Sequence, residues 1–252
     1  MKRHHWLLLL AALSGAPVAR AQGDIRDTSI TIVPITLSYA YQLPSGDLAQ
    51  QFGANHNLGL SASVKFKSNY SLGLEGSFIF GDQVTDRTVL QQMMTSNGVV
   101  VNQDGDPASI LLFERGYTVT AFAGKVIPVV GPNPNSGILL KLGAGYMRHK
   151  LLIQHQNDVL PALEGDYLKG YDRLRAGPMG MFFVGYQHLG NNRFINFMAG
   201  FEINIAATRS MRPYLFDKGR ADDERHVDAL TGLRFGWTLP IYRRADNRQY
   251  YR

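Results

Sequence analysis

The stretch ILLKLGAGY, residues 138–146, alternates between apolar side chains and a more polar set. Its even positions are all apolar, whereas its odd positions include Lys141 and two glycines. Successive side chains of a β-strand point to opposite faces, so this strand can show one face to hydrocarbon and the other to a polar interior. The pattern therefore predicts a strand in a wall that faces lipid on one side.

Seven further stretches bring the number of predicted strands to eight. The eight predicted strands are residues 30–41, 57–67, 70–80, 116–127, 137–148, 178–189, 193–206 and 227–239. Each is long enough for the roughly 9 to 11 tilted residues that cross a bilayer, and single-chain bacterial outer-membrane barrels have an even strand count. We therefore expect an all-β fold, an eight-stranded antiparallel up-and-down transmembrane β-barrel.

The connections between these strands alternate strictly between short and long. Residues 68–69, 128–136 and 190–192 are short, whereas 42–56, 81–115, 149–177 and 207–226 are long. Outer-membrane barrels place short turns in the periplasm and long loops outside. We expect both termini in the periplasm and four extracellular loops.

The N-terminus predicts export. Residues 2–5 are basic, residues 6–13 are apolar, and Ala19-Arg20-Ala21 is a cleavage site. The apolar run is shorter than the roughly 20 residues of a membrane anchor. The predicted units are a cleaved signal peptide (1–21), a periplasmic segment (22–29), an integral outer-membrane barrel (30–239) and a basic periplasmic tail (240–252).

The charge balance and the cysteine count limit the partners and anchors that this protein can have. Without the signal peptide, 23 basic residues face 20 acidic ones, a balance too weak to imply nucleic acid. The chain has no cysteine, which excludes a lipoprotein anchor and a disulfide framework. Outer-membrane lipid and lipopolysaccharide are the expected surroundings, and a lipocalin-like soluble barrel is the main alternative architecture.

Five charged residues take the inward parity on their strands: Lys65, Glu75, Lys141, Glu202 and Arg234. The interior of an eight-stranded barrel is only wide enough to be filled by side chains. We expect a lumen charge network in which the three cations hold Glu75 and Glu202, with Lys65 in cross-strand reach of Glu75. A conduction or proton-transfer path is the alternative.

The outward face of the predicted barrel should carry aromatic residues at both rims. Aromatic residues should form two girdles, an outer one of Tyr39, Phe78, Tyr117 and Tyr146 and an inner one of Phe66, Tyr186, Phe194 and Trp237. Lys125 falls on this face. It must either extend to the periplasmic rim or indicate a strand register that is wrong by one residue.

Over essentially its whole mature length, the chain resembles small eight-stranded barrels of the OmpA transmembrane-domain and OmpX type. Its loops resemble a Bacteroidota outer-membrane barrel family associated with larger envelope assemblies. The segments that carry this second resemblance are Gly46-Asp47-Leu48 with Phe52-Gly53, Glu114-Arg115-Gly116, 133–137 and 167–174. The resemblance implies a structural or partner subunit of an outer-membrane protein-assembly or secretion complex.

A catalytic site at the outer rim is the alternative to a non-enzymatic barrel. Histidines 56, 149, 155 and 226 fall there, as in barrels that deacylate or acylate lipid A. No serine has a fixed spacing to a histidine, so we predict no catalytic residue and no enzyme, with a lipid-A-modifying enzyme as the alternative. Residues 102–107 match a calcium loop poorly, and we predict no metal and no cofactor.

Two loops are too long to serve only as closures. Residues 84–95 can form about three helical turns, after which Asn97-Gly98 turns the chain into Val99 to Val101. The predicted partner-binding residues are Leu90, Met93, Met94, Val99, Val100, Tyr167 and Tyr171. Packing of the same residues against the barrel mouth is the alternative.

Overall fold

The computed structural model describes residues 28–155, 160–190 and 194–242, which form one antiparallel sheet closed into a barrel. The strands are β1 (Ile32–Gly46), β2 (Asn55–Lys65), β3 (Tyr70–Gly81), β4 (Ile110–Ile127), β5 (Gly137–His155), β6 (Arg175–His188), β7 (Phe197–Ser210) and β8 (Arg225–Tyr242). Each strand pairs with its neighbours in sequence, and β8 pairs with β1. The predicted all-β fold of eight antiparallel strands is confirmed.

The strands are staggered around the ring. Following the register from Ser38 in one direction leads to Met147 on β5, and in the other direction to Gly137, ten residues away on that strand. A stagger of this size goes with strands tilted by about 35° to 45° from the barrel axis. The sheet therefore closes tightly around its interior side chains.

The predicted strands are too short at the end of the barrel that carries the long loops. β4 begins at Ile110 and β5 ends at His155, where the two residues pair directly, so both strands extend well past their predicted limits. Apolar runs at residues 110–113 and 151–153, next to polar residues such as Glu114 and Lys150, concealed the alternation. β8 also continues to Tyr242, so residues 240–242 belong to the barrel and not to the tail. By contrast, β7 begins at Phe197, later than the predicted start at residue 193.

Parts of the predicted organisation lie outside the described residues. These parts are the signal peptide, residues 22–27, Arg193, and the tail from residue 243. The long loops are the first (47–54), second (82–109), third (156–174, described from residue 160) and fourth (211–224). Their helices are short 3-10 turns: Leu48–Gln50, Thr88–Met93, Pro161–Leu163 and Tyr167–Gly170. In the described chain no helix is long and apolar enough to span a membrane.

Inward and outward positions alternate as the period of two predicts. Leu58, Leu60 and Val64 on β2 are exposed, whereas Ser61 and Lys65 are buried. Lys125 keeps the outward parity, and its Nζ donates to the Ser68 carbonyl at 2.8 Å in the β2–β3 turn. The ammonium also lies 3.7 Å from the centroid of the Tyr70 ring. The predicted β4 register therefore needs no shift, because Lys125 reaches the rim.

The interior contains two apolar clusters. The smaller one consists of Phe122, Val126, Leu139, Met181, Phe183 and Met198. The larger one joins strand residues such as Ile79 and Met147 to loop residues such as Leu90 and Tyr171. This second cluster gives the long loops a core of their own, packed onto the end of the barrel.

Candidate functional site

Arg234 organises the charges inside the barrel. Its Nη1 lies 3.1 Å from Glu75 Oε1, and its Nη2 donates to Glu202 Oε1 at 2.8 Å. Ser38 and Asn57 accept further hydrogen bonds from the same guanidinium. All these side chains are buried. A buried arginine held by two carboxylates is a structural arrangement because each charge is compensated where it lies.

The two predicted lumen lysines occupy different places. Lys141 lies beside this network, with its Nζ 4.7 Å from the centroid of the Phe122 ring and 3.4 Å from Met198 Sδ. Lys65 lies elsewhere, because its Nζ donates to Asn135 Oδ1 at 2.8 Å. The register pairs Lys65 with Ser71, whereas Glu75 pairs with Ser61, which lies four residues before Lys65 on β2.

The structure therefore brings together Glu75, Glu202 and Arg234, with Lys141 adjacent, and does not bring Lys65 into contact with Glu75. Asn135, which holds Lys65, lies in the β4–β5 turn, and no alternation pattern identifies such a partner. A cavity of about 20 Å³ lies beside Lys65 and Lys141, enough for about one water molecule. Side chains thus fill the described lumen around these lysines, an arrangement that supports structural pairing over a conduction path.

A second buried polar group was missed at the sequence level. His149 Nε2 lies 2.8 Å from Asp228 Oδ2, which also accepts from the Thr208 hydroxyl. Glu114 accepts from the Asn55 amide at 2.9 Å close by. These residues come from five strands and are at most 1% exposed. Asp228 lies within the predicted strand 227–239 and has the predicted inward parity. The other four residues lie just outside the predicted strands, because the strand extensions were not recognised.

The remaining rim histidines have varied environments. His226 Nε2 lies 3.0 Å from Asp222 Oδ1, and His56 Nδ1 lies 2.6 Å from the Tyr39 hydroxyl. His155 ends β5. Asn102 Oδ1 accepts from the backbone N–H groups of Asp104 and Asp106, as in a polar turn. Among the described residues, no group of three or more His, Cys, Asp or Glu could hold a metal ion.

Arg173 connects three of the long loops, and we call its contacts the loop clasp. Its Nη1 donates to Asp86 Oδ2 in the second loop at 2.6 Å, and its Nε donates to Asp217 Oδ2 in the fourth at 2.9 Å. Burial alone raises the pKa of Asp86, but hydrogen bonds from Thr88 and Arg173 outweigh it, so this pKa lies below its ordinary value. Asp172 adds a second link to the fourth loop through Arg212.

The second loop forms less helix than expected. Its only regular turn is the 3-10 helix Thr88–Met93, which begins where the Asp86 carboxylate accepts from the Thr88 N–H at 2.9 Å. The helix ends at Met94, which is extended and pairs with Val100 across the predicted Asn97-Gly98 turn. An aspartate before the helix and a hairpin after it limit the helix to six residues.

A groove of about 580 Å³ runs between this loop and the start of β4. Val84, Leu90, Met94, Val99 and Val100 line one side of it. The first four residues of β4, Ile110 to Phe113, line the other side. Most residues that line the groove are apolar, Asp82 and Arg87 are the charged ones, and its exposed surface is about equally polar and apolar. Apolar walls with a few polar groups are typical of binding sites.

The seven predicted partner-binding residues divide by exposure. Met94, Val99 and Tyr167 are exposed, and Met93 is half-buried. Leu90, Val100 and Tyr171 are buried in the loop core. Tyr171 contacts the Phe216 ring at 5.4 Å between centroids, so it joins the third loop to the fourth. Packing at the barrel mouth and an accessible groove are thus both present.

Comparisons with known proteins are limited to distant structural likeness. No family model and no curated protein matches the chain. The Yersinia pestis attachment invasion locus protein Ail, crystallised with the heparin analogue sucrose octasulfate, has 11% identity, covers 83% of this chain and 99% of its own, and gives a TM-score of 0.40. The N-terminal β-barrel domain of Pseudomonas aeruginosa OprF has 12% identity, covers 86% and 100%, and gives a TM-score of 0.35.

Proposed function

We propose that this protein is a non-enzymatic, integral outer-membrane barrel whose second loop and β4 bind an extended segment of a partner protein. The observation that carries the proposal is the groove of about 580 Å³ beside the first residues of β4, which is lined mostly by apolar residues. The long loops face the outside, and both termini lie in the periplasm.

The outer wall supports a membrane position. On β4, ten residues separate Lys125 at the short-turn rim from Arg115 at the long-loop rim. At about 3.3 Å per residue and a tilt near 40°, this separation spans about 25 Å along the barrel axis, the height of an outer-membrane apolar band. The outward residues in between are Tyr117, Val119, Ala121 and Ala123, all exposed. Wrapping such a wall in lipid removes its apolar surface from water.

The groove lies beside an open strand edge. β3 ends where Gly81 pairs with Glu114, so residues 110–113 of β4 pair with β5 on one side only. Alternate residues of a strand direct their N–H and C=O groups to the same edge. An extended segment can pair with this edge and place its apolar side chains against Met94, Val99 and Leu111, which are exposed.

The proposal extends to the setting of the protein. The loop resemblance supports a structural or partner subunit of an outer-membrane assembly or secretion complex, with lipopolysaccharide as its lipid neighbour. Of the four rim histidines, His149 and His226 are buried and offer no accessible base, and His56 contacts the Tyr39 hydroxyl. Mass spectrometry should show unchanged lipid A acylation in a depletion strain, and a lost or gained acyl chain would contradict the non-enzymatic assignment.

Partner capture tests the groove directly. Val99→Glu places a charge in it, whereas Val101→Glu places the same charge on an exposed valine outside its lining. Tagged native protein is recovered in mild detergent, and the captured chains are compared by quantitative mass spectrometry. A partner should be retained by the parent and Val101→Glu and reduced at least about tenfold by Val99→Glu, the factor expected for about 1.4 kcal/mol. If Val99→Glu and Val101→Glu capture the partner equally, the groove is not the partner-binding site.

Membrane topology requires its own test. Epitope tags at Asp104-Gly105 and after Arg252 report the second loop and the C-terminus. On intact cells only the first tag should be labelled. Labelling of the C-terminal tag alone would invert the proposed orientation.

A further inference from the structure

Three cations meet on the outer wall near the long-loop rim. Arg115 on β4 pairs directly with Lys150 on β5, and Tyr117 pairs with Arg148 one step further down the wall. Like charges directly opposite each other destabilise a sheet. An anionic ligand placed between these cations would remove that repulsion.

No ion pair within the described chain does so, although the buried Glu114 carboxylate attracts Arg115. Among the described residues, no carboxylate oxygen lies within 4 Å of the charged nitrogens of these three side chains. Arg115 is instead positioned by two carbonyls, since its Nη1 donates to Gly81 O at 3.3 Å and to Glu114 O at 2.6 Å. Arg148 lies 5.9 Å from the centroid of the Tyr117 ring.

The cations border a shallow surface groove of about 180 Å³. Its other lining residues include Phe78, Tyr117 and Leu174. Phe78 and Tyr117 are exposed and belong to the predicted outer aromatic girdle, which lies at the level of the lipid headgroups in the proposed orientation. The site therefore combines apolar surface with positive charge at the height where a bilayer places its phosphates.

We propose that Arg115, Arg148 and Lys150 bind the phosphate groups of lipid A, with the body of the lipid over Phe78 and Tyr117. Arginines suit phosphate because their planar guanidinium donates two parallel hydrogen bonds, and a lysine adds a point charge. Lipid A brings phosphate and acyl chains to the outer leaflet, so it matches both halves of the site. The inference rests on the proposed orientation, since that orientation puts these cations in the outer leaflet.

The site is tested on the folded full-length barrel in detergent, with the heat-induced gel shift as the readout. The probes are bisphosphorylated lipid A, the same lipid after phosphatase treatment, phosphatidylglycerol and inorganic phosphate. Bisphosphorylated lipid A should raise the unfolding temperature of the parent more than any other probe. Arg115→Gln/Arg148→Gln/Lys150→Gln should weaken its binding by about 1,000-fold, at about tenfold for each of the three lost contacts.

Two control variants test whether the loss of binding comes from the lost charge at this site, and not from misfolding or from losing a cation elsewhere. Lys125→Gln removes an outward lysine at the opposite rim and should bind lipid A like the parent. Arg115→Lys/Arg148→Lys keeps the charge and should retain most of the binding. The assignment is overturned by parent-like binding in the triple variant. It is also overturned if dephosphorylated lipid A, phosphatidylglycerol or inorganic phosphate protects the parent as well as bisphosphorylated lipid A does.

Failure of this site can be distinguished from failure of the proposed function. Val99→Glu should lose the protein partner yet bind lipid A normally, because residue 99 does not line the cationic groove. If the parent fails to bind lipid A but shows the expected surface labelling, only the lipid site is overturned. Inverted labelling would overturn both assignments, since the cations would then face the inner leaflet.

Discussion

The barrel carries arginine on both sides of the same wall, and the two environments differ in their counterions. Inside, Arg234 is bound by Glu75 and Glu202 and is 3% exposed. Outside, Arg148 is exposed, faces Tyr117 and has no described carboxylate within reach. A charge enclosed by protein must be compensated by protein, whereas a charge at the lipid boundary can be compensated by lipid. If the proposed membrane position holds, the location of the counterion thus separates a structural charge from a binding charge.

Removing the inner arginine should have the largest effect. Arg234→Met leaves Glu75 and Glu202 facing each other in the lumen and should lower the free energy of unfolding by about 3 to 5 kcal/mol. Urea titration followed by the folded-to-unfolded gel shift measures the loss. Adding Glu75→Gln and Glu202→Gln to this variant should recover most of it. A parent-like urea midpoint for Arg234→Met would show that the lumen charges are hydrated and not mutually paired.

Removing one inner carboxylate should cost less. Glu75→Gln leaves Arg234 bound to Glu202, so we expect a loss of about 1 to 3 kcal/mol in the same urea titration. Adding Lys141→Met should restore part of it, because Glu75 attracts the Lys141 charge. Adding Lys65→Ala should restore nothing, since Lys65 contacts Asn135 instead. Rescue by Lys65→Ala and not by Lys141→Met would instead support the sequence-based pairing.

These lumen contacts show where sequence reasoning reaches its limit. The parity of Glu75, Lys141 and Arg234 could be predicted because a strand has a fixed period of two and lipid tolerates few charges. Their partners could not, because pairing depends on how far one strand is staggered against another. Lys65 is the clearest example. Its partner Asn135 is 70 residues away, in a turn without periodicity.

The loops show the same limit more strongly. Asp172 and Arg173 lie in a segment singled out for its resemblance to a family, but their partners in the second and fourth loops are 40 to 87 residues away. The sequence pointed only to the apolar residues on the second-loop side of the groove. Its β4 side was missed because polar residues such as Glu114 and Arg115 concealed the start of the strand.

The loop clasp offers an intermediate case between the inner and outer arginines. Arg173→Ala removes contacts to Asp86 and Asp217 near the surface, so the loops should lose about 1 to 2 kcal/mol of local stability while the barrel wall is unchanged. Limited proteolysis should cut residues 82–109 at least about fivefold faster, with an unchanged urea midpoint. The exposed pair Arg220–Glu224 provides a control, because Arg220→Ala should leave the cleavage rate near that of the parent. Unchanged cleavage of Arg173→Ala would show that the apolar loop core alone holds the loops.

Removing an outer cation should have the smallest effect on stability and the opposite sign. In detergent without lipid A, Lys150 faces Arg115 directly and repels it. Lys150→Gln should therefore raise the free energy of unfolding by a few tenths of a kcal/mol, within the range of about 0.2 to 1 kcal/mol for cross-strand charge pairs. Lys125→Gln lacks this gain, because Lys125 contacts the Ser68 carbonyl and the Tyr70 ring. With bisphosphorylated lipid A present, Lys150→Gln should become less stable than the parent, since the parent then has a phosphate between its cations. A loss of more than about 1 kcal/mol without lipid would mean that Lys150 has a compensating partner within the protein, and the contrast between the inner and outer charges would fail.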